Sequence, residues 1–367
     1  MSEAEIASLV VSYAVVQTVV LLLLVRALDP YEREPLSLLG VLVVWGAIGA
    51  TGLSALGNAA FSRALSATTN LVFGPAIYSP LVEEGAKGLA LVAFLVVSVM
   101  AAGRFGIPRF EGVTDGIVYG AAVGLGFAFT EDILYLLNAA SQNGLSQGLS
   151  TYLARRGFLG VTVFHHAIYS AAFGVGLGLA TWTTSRLLRV LAPALGLALA
   201  ILLHAANNGL VQLVLVLRYG FDRTAGYLEG ITLPGDARLQ SSAGAAASAV
   251  NYLHYATLVA FIVGVQLWLA YQRNVIRSEL EGEIRTGLIS REEWSLLPSY
   301  WRRNRWYWQL IQTGQWERWR LLRRIHNELV EFAFMKRRLD GGAARDDALA
   351  ETRELIEKLK AQKLVFL

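Results

Sequence analysis

The 367-residue chain contains no cysteine. That absence excludes disulfides, thiolate catalysis and any zinc or iron–sulfur site built on thiolate ligands. Charge is also scarce: 16% of the residues are Asp, Glu, Lys or Arg and 54% are apolar, against about 25% and roughly 45–50% in an average soluble domain. The charge gathers at one end. From Arg273 onward lie 19 of the 32 basic and 14 of the 28 acidic residues, which leaves the first 272 positions nearly charge-free. Such a stretch has too little polar surface for a water-soluble globule. The first apolar run has no basic leader and is long enough to cross a bilayer, so it reads as a retained span and not as a signal peptide. The net charge of +4 comes from the tail and gives no reason to expect nucleic-acid binding.

Apolar windows of bilayer-crossing length fall at about 6–28, 37–62, 79–102, 112–140, 157–183, 187–217 and 249–271. The expected fold class is therefore all-α: a polytopic membrane helix bundle of about seven transmembrane helices, with a C-terminal helical cytoplasmic tail. The expected domains are 1–272, membrane-embedded, and 273–367, charged and rich in Trp and Arg. Segment 64–78 reads as a loop, or as an interfacial or re-entrant piece, and the Gly/Ala/Ser-rich segment 218–248 as a flexible loop. Six of the nine tryptophans lie in the tail among arginines, and Leu322, Ile325, Leu329, Phe332 and Leu339 recur there at helical spacing. That pattern suits an amphipathic helical domain resting on the membrane or on the protein's own loops. A surface for a partner or for lipid regulation is the sharper alternative. The excess of tail arginines puts the C-terminus in the cytoplasm of a multi-pass cell-membrane protein, and seven spans then put the N-terminus outside.

Ionisable groups inside spans are costly and mark candidate sites. The third window carries Glu83, Glu84 and Lys87, the fourth Glu131 and Asp132, the fifth His165 and His166, and the sixth His204 with Asn207 and Asn208. At about 1.5 Å per residue, the alternating topology brings Glu83, Glu131, His166 and His204 into one layer in the outer half of the bilayer. One of the paired glutamates can neutralise Lys87, three or four residues on. Ser79-Pro80 reads as a helix start, which would place both carboxylates near a positive helix end. His165 and His166 point about 100° apart, so one of them faces the layer. His204 and Asn208 share a helix face, which suits an amide orienting an imidazole. Gly116, Gly120 and Gly124 form one small-residue row and Gly174 and Gly178 another, which reads as close helix packing.

Several designs for hydrolysis within a membrane fail on inspection. There is no HExxH sequence for a zinc helix. Gly52-Leu53-Ser54-Ala55 is not the Gly-x-Ser-Gly of a rhomboid-like serine protease, and Asp115 and Asp132 lie toward opposite ends of their span. A proton- or ion-coupled transporter remains open, because buried Glu and His also relay protons.

The ordered set resembles the PrsW family of intramembrane proteases, related to the CAAX-processing and bacteriocin-processing proteases. The resemblance runs through Glu83-Glu84-Gly85-Ala86-Lys87 (EExxK), Phe127 to Glu131 (FxxxE), His166-Ala167 followed by Gly174, and His204 to Asn208 (HxxxN), within about 80–210. It implies a prokaryotic multi-pass endopeptidase, of metallo- or glutamic type, that cuts membrane-anchored proteins such as anti-sigma factors, with the lipid bilayer as its setting. The expected site is Glu83 as the base that activates water, Glu84 as its partner held by Lys87, and Glu131, His166, His204 and Asn208 completing it. The expected metal set is zinc on Glu131, His166 and His204, since two imidazoles and a carboxylate recur in catalytic zinc sites. Glu131 stands where prenyl-processing members carry a histidine, so the metal question does not transfer by analogy.

Overall fold

The structure, a computed structural model, describes residues 3–31, 33–101, 110–156, 164–230, 236–340 and 346–365. Among the described residues the regular elements are all helical. They run α1 (Glu3–Arg26), α2 (Leu36–Val44), a π-helical turn (Trp45–Ala50), α3 (Thr51–Ala64), α4 (Ala67–Phe73), a second π turn (Gly74–Tyr78), α5 (Ser79–Ala101) and α6 (Val113–Asn143). There follow α7 (Leu145–Arg156), α8 (Phe164–Trp182), α9 (Arg186–Tyr219), α10 (Phe221–Leu228) and α11 (Asp236–Arg285). The chain ends with α12 (Arg291–Leu296), α13 (Tyr300–Gln312), α14 (Trp316–Asp340) and α15 (Asp346–Val365).

Among the described residues five helical runs are long and apolar enough to cross a membrane: Ser8–Arg26, Leu36–Ala64, Val113–Asn143, Arg186–Tyr219 and Ala237–Arg285. Two of the seven expected windows are helices outside this group. One is α5, which carries Glu83, Glu84 and Lys87; the other is α8, which opens on His165 and His166. The groups that nominate these helices as functional are the ones that lower their hydropathy. Positions 157–163 of the fifth window lie outside the described residues.

The chain divides into two compact units. The first comprises 1–28, 34–181 and 190–261, with α6 at its centre. That helix is apolar all round and buried from Val113 through Ala128, as expected of a helix surrounded by others. Glycines set how closely its neighbours approach. A Cβ on Gly116 would meet the carbonyl oxygen of Gly174, and one on Gly174 would meet that of Gly116. Gly120 and Gly124 lie equally close to the backbone of α8 at Ser170 and His166, and Gly126 and Gly46 do the same between α6 and the α2–α3 run. The glycine rows thus fix the register of α8 on α6. The first π turn falls at the crossing with α6, where Thr130 Oγ1 donates to Ala47 O (2.7 Å) and Thr51 Oγ1 to Gly46 O (3.0 Å). Those hydroxyls satisfy carbonyls at the turn, where helical pairing is disturbed. The outward faces of α1, α9 and α11 carry exposed Val16, Leu24, Leu195, Leu202 and Val259, an apolar surface suited to lipid.

Two expectations are corrected here. Segment 218–248 is not a flexible loop: its described residues form the end of α9, α10 and the start of α11, with short turns between them. Alanine is the best helix former, and Leu239 and Ala243 bury against Leu215 of α9; low hydropathy had hidden a packed helix. Of the two readings of segment 64–78 the plain loop falls away, since the segment holds α4 and the second π turn. Ser79-Pro80 is not a helix start, because Ser79 has helical dihedrals and continues the π turn into α5. No free helix end lies beside Glu83 and Glu84.

The second unit comprises 29–33, 182–189 and 262–367. The periodic Leu322, Ile325, Leu329 and Phe332 of α14 are fully buried in its core with Ile276, Leu280 and Ile356. The side chain of Leu339 lies outside the description.

Candidate active site

Four helices of the first unit bring the polar groups together. α5 supplies two carboxylates and an ammonium, α6 a carboxylate, α8 an imidazole, and α9 an imidazole and an amide. Lys87 is fully buried. Its Nζ donates to Glu84 Oε1 (2.5 Å) and to His166 Nδ1 (3.0 Å), and it lies 4.3 Å from the centre of the Phe127 ring. The partner of Lys87 is therefore Glu84, three residues back, which leaves Glu83 unneutralised by it. Glu84 Oε1 also accepts from His204 Nδ1 (2.8 Å). A carboxylate on Nδ1 fixes the imidazole tautomer and turns Nε2 outward as a lone pair.

His204 Nε2 faces Asn208 Nδ2 at 3.0 Å and Glu83 Oε2 at 3.6 Å. Asn208 is itself oriented by Asn207, whose Nδ2 donates to Asn208 Oδ1. The other oxygen of Glu83 accepts from Ser79 Oγ (2.8 Å), and Ser79 in turn accepts from Asn58 Nδ2 (3.0 Å). Glu83 Oε2 is buried and has no hydrogen-bond partner among the described residues. On the far side, His166 Nε2 meets Glu131 Oε2 at 2.9 Å, and the Glu131 side chain is 17% exposed. Lys87 donates to Nδ1 of His166, so the opposite nitrogen carries the proton toward Glu131 unless a cation replaces it.

The arrangement fits a divalent cation. One ligand atom each from Glu83, His166 and His204 lies within 4.8 Å of the others. Glu83 Oε2 has no donor among the described residues and stands 3.6 Å from His204 Nε2, whose lone pair accepts from Asn208 Nδ2; a cation bound there would satisfy the carboxylate and free that amide. The expected set named Glu131 with the same two histidines; Glu131 Oε2 lies 2.9 Å from His166 Nε2, and Glu83 is the carboxylate whose oxygen lies within 4.8 Å of both imidazoles.

His165, the neighbour of His166, points elsewhere and stacks on His254 with ring centres 3.5 Å apart. Sequence reasoning missed Tyr169 and the orienting role of Ser79. The Tyr169 ring stacks on His204 at 5.1 Å and meets His166 edge-on at 5.9 Å. Both were legible as spacing, Tyr169 three residues after His166 and Ser79 four before Glu83, but an uncharged residue in a span raises no flag.

A profile described as PrsW family intramembrane metalloprotease matches residues 34–225. Protease PrsW of Geobacillus kaustophilus (strain HTA426) is 30% identical over 168 residues, covering 43% of this chain and 60% of that protein. Protease PrsW of Clostridioides difficile (strain 630) is 28% identical over 127 residues, covering 34% of this chain and half of that protein. The chain thus spans about half to 60% of the length of these relatives. No solved structure matches. The matched segment holds Glu83, Glu84, Lys87, Glu131, His166, His204 and Asn208 together, and the chain belongs to the PrsW family of intramembrane metalloproteases.

Proposed function

We propose that this chain is an intramembrane endopeptidase that hydrolyses peptide bonds of membrane-anchored, anti-sigma-factor-like proteins. One observation carries the reading: Glu83, His166 and His204 each place a ligand atom within 4.8 Å of the others, with Glu84 backing His204 and Lys87 backing Glu84. Those three side chains would hold zinc, which when bound supplies Lewis-acid chemistry, acidifying water and polarising a carbonyl. Glu131, the more exposed carboxylate, takes the proton from the attacking water as the new C–O bond forms, then delivers it to the leaving nitrogen as the C–N bond breaks. The Asn208 amide, held by Asn207, donates toward the oxyanion. Lys87 keeps Glu84 ionised without exposing it to water. Ion or solute transport on the same groups is the alternative, and the family match does not favour it.

Purified protein reconstituted with a single-span substrate is expected to cleave it near the outer membrane boundary. Solute or ion flux through sealed vesicles without cleavage would establish the transporter instead.

We further propose that α5 and α8 join the five apolar runs as spans, giving seven, with the C-terminus cytoplasmic. The chain has no native cysteine, so single cysteines report topology directly. Glu229→Cys, after α10, is expected to react with an impermeant maleimide on intact cells, and Gln315→Cys, before α14, only after permeabilisation. The opposite pattern reverses the topology and moves the site to the inner leaflet.

A further inference from the structure

Within the second unit, α13 and α14, with Pro30, Tyr31 and Arg33, line a cavity of about 170 Å³. Three guanidinium groups line it, Arg33, Arg303 and Arg323, and no carboxylate does among the described residues. Two partly buried lysines of this unit have acid partners: Lys336 contacts Glu283 at 3.0 Å and Lys360 contacts Glu293 at 2.7 Å. Arg303 contrasts with them. It is 4% exposed, yet its protein partners are carbonyls, Pro30 O at 2.6 Å and Leu297 O at 3.4 Å, and the Tyr31 ring at 5.4 Å. Two of its five N–H groups are used in this way. Burial pushes its pKa below the ordinary arginine value, with Tyr307 and Tyr31 opposing that shift and the charge of Arg33 adding to it. A buried cation beside other cations is costly unless an anion joins it.

The other two guanidiniums are positioned in advance. Arg33 donates to Tyr300 Oη (2.7 Å) and lies 5.8 Å from that ring's centre, while Arg323 lies 5.7 Å from the centre of the Trp319 ring. Arginines held on aromatic faces present their planar forks without further ordering, which suits tetrahedral oxyanions better than single point charges would. Trp301, Trp308 and Trp316 of α13 and α14 are 81%, 62% and 50% exposed. Indole rings of that kind settle at a membrane–water interface.

We propose that this cavity is a binding site for a phosphate ester, its phosphate held among Arg33, Arg303 and Arg323. The phosphate can come from the headgroup of an anionic phospholipid or from a soluble ester. The exposed tryptophans favour the lipid.

The test uses the delipidated full-length chain in neutral detergent, with binding read by calorimetry and by the unfolding temperature. The probes are dioctanoylphosphatidylglycerol, dioctanoylphosphatidylcholine, glycerol 3-phosphate and glutarate. Phosphatidylglycerol is expected to bind and to raise the unfolding temperature. The double variant R33Q/R323Q, built at the exposed and half-exposed positions so that the fold survives, is expected to weaken that binding at least tenfold. Binding of the lipid without glycerol 3-phosphate identifies a headgroup site, and equal binding of both identifies a soluble ester. Absence of binding by either, binding of glutarate equal to that of the phosphates, or affinity unchanged in a folded R33Q/R323Q chain would overturn the proposal. Because the probes and readouts do not involve cleavage, failure here is separable from failure of the endopeptidase reading.

Discussion

Glu83→Gln is expected to lose bound zinc and peptidase activity together, whereas Glu131→Gln is expected to lose activity while keeping the metal. Glu83 Oε2 is the buried atom without a donor, facing His204 Nε2 at 3.6 Å, and an amide is a poor ligand for zinc. Removing it takes away one of three protein ligands, and catalysis should fall by at least about 10³, consistent with loss of metal assistance. Glu131 instead sits 2.9 Å from His166 with some exposure to solvent, where a base exchanges protons most readily. Its replacement by Gln should cost about 10²–10⁴ in rate, the usual contribution of a positioned general base. Elemental analysis and cleavage assays on the same preparations decide the matter. The reverse pattern, metal lost in Glu131→Gln and kept in Glu83→Gln, would restore the roles read from the sequence, with Glu83 as the base. Full wild-type activity with far less than one metal per chain would instead leave a glutamic-type protease. In that case Glu83 and His204 would activate water directly.

Gly116→Val is expected to destabilise the first unit severely. A side chain there meets the carbonyl of Gly174, backbone against backbone, and neither helix can yield locally. Overpacking in a well-packed core costs typically 1–3 kcal/mol, and a valine at a mutual glycine contact should exceed about 3 kcal/mol because whole helices must separate. Gly40→Ala in α2, where nothing lies within 4 Å of the added carbon, should change stability by less than about 1 kcal/mol. Unfolding temperatures measured in one detergent compare the two. The consequence reaches the chemistry, since the same contact sets the register that brings Glu131 opposite His166. A Gly116→Val chain with wild-type stability would show that the α6–α8 contact is not as close as described.

The sequence by itself determined that the chain is helical and bilayer-sized in its apolar runs, that its polar groups fall on four particular helices, and that α6 and α8 pack through glycine. It also determined the order of the EExxK, FxxxE and HxxxN elements, by which the family was legible before any geometry. These are local properties: hydropathy, spacing and the absence of a Cβ act within one helix. Only the tertiary structure decided how these groups face one another: that Glu84 Oε1 links Lys87 to His204 Nδ1, that Glu131 meets His166 Nε2 while Glu83 stands near His204 Nε2, and that Ser79 and Tyr169 border the cluster. Such choices depend on helix rotation and register, which packing against other helices sets, and one residue's difference rotates a side chain by about 100°. The same reason explains the errors. Segment 218–248 became helix because Leu239 and Ala243 found Leu215 to bury against, a partner more than twenty residues away. Ser79 left its expected cap because the preceding turn continued into α5 and its hydroxyl went to Glu83 instead. The arginine-lined cavity of the second unit joins Arg33 to Arg303 and Arg323, 270 to 290 positions apart, and no pattern along the sequence could have placed them together.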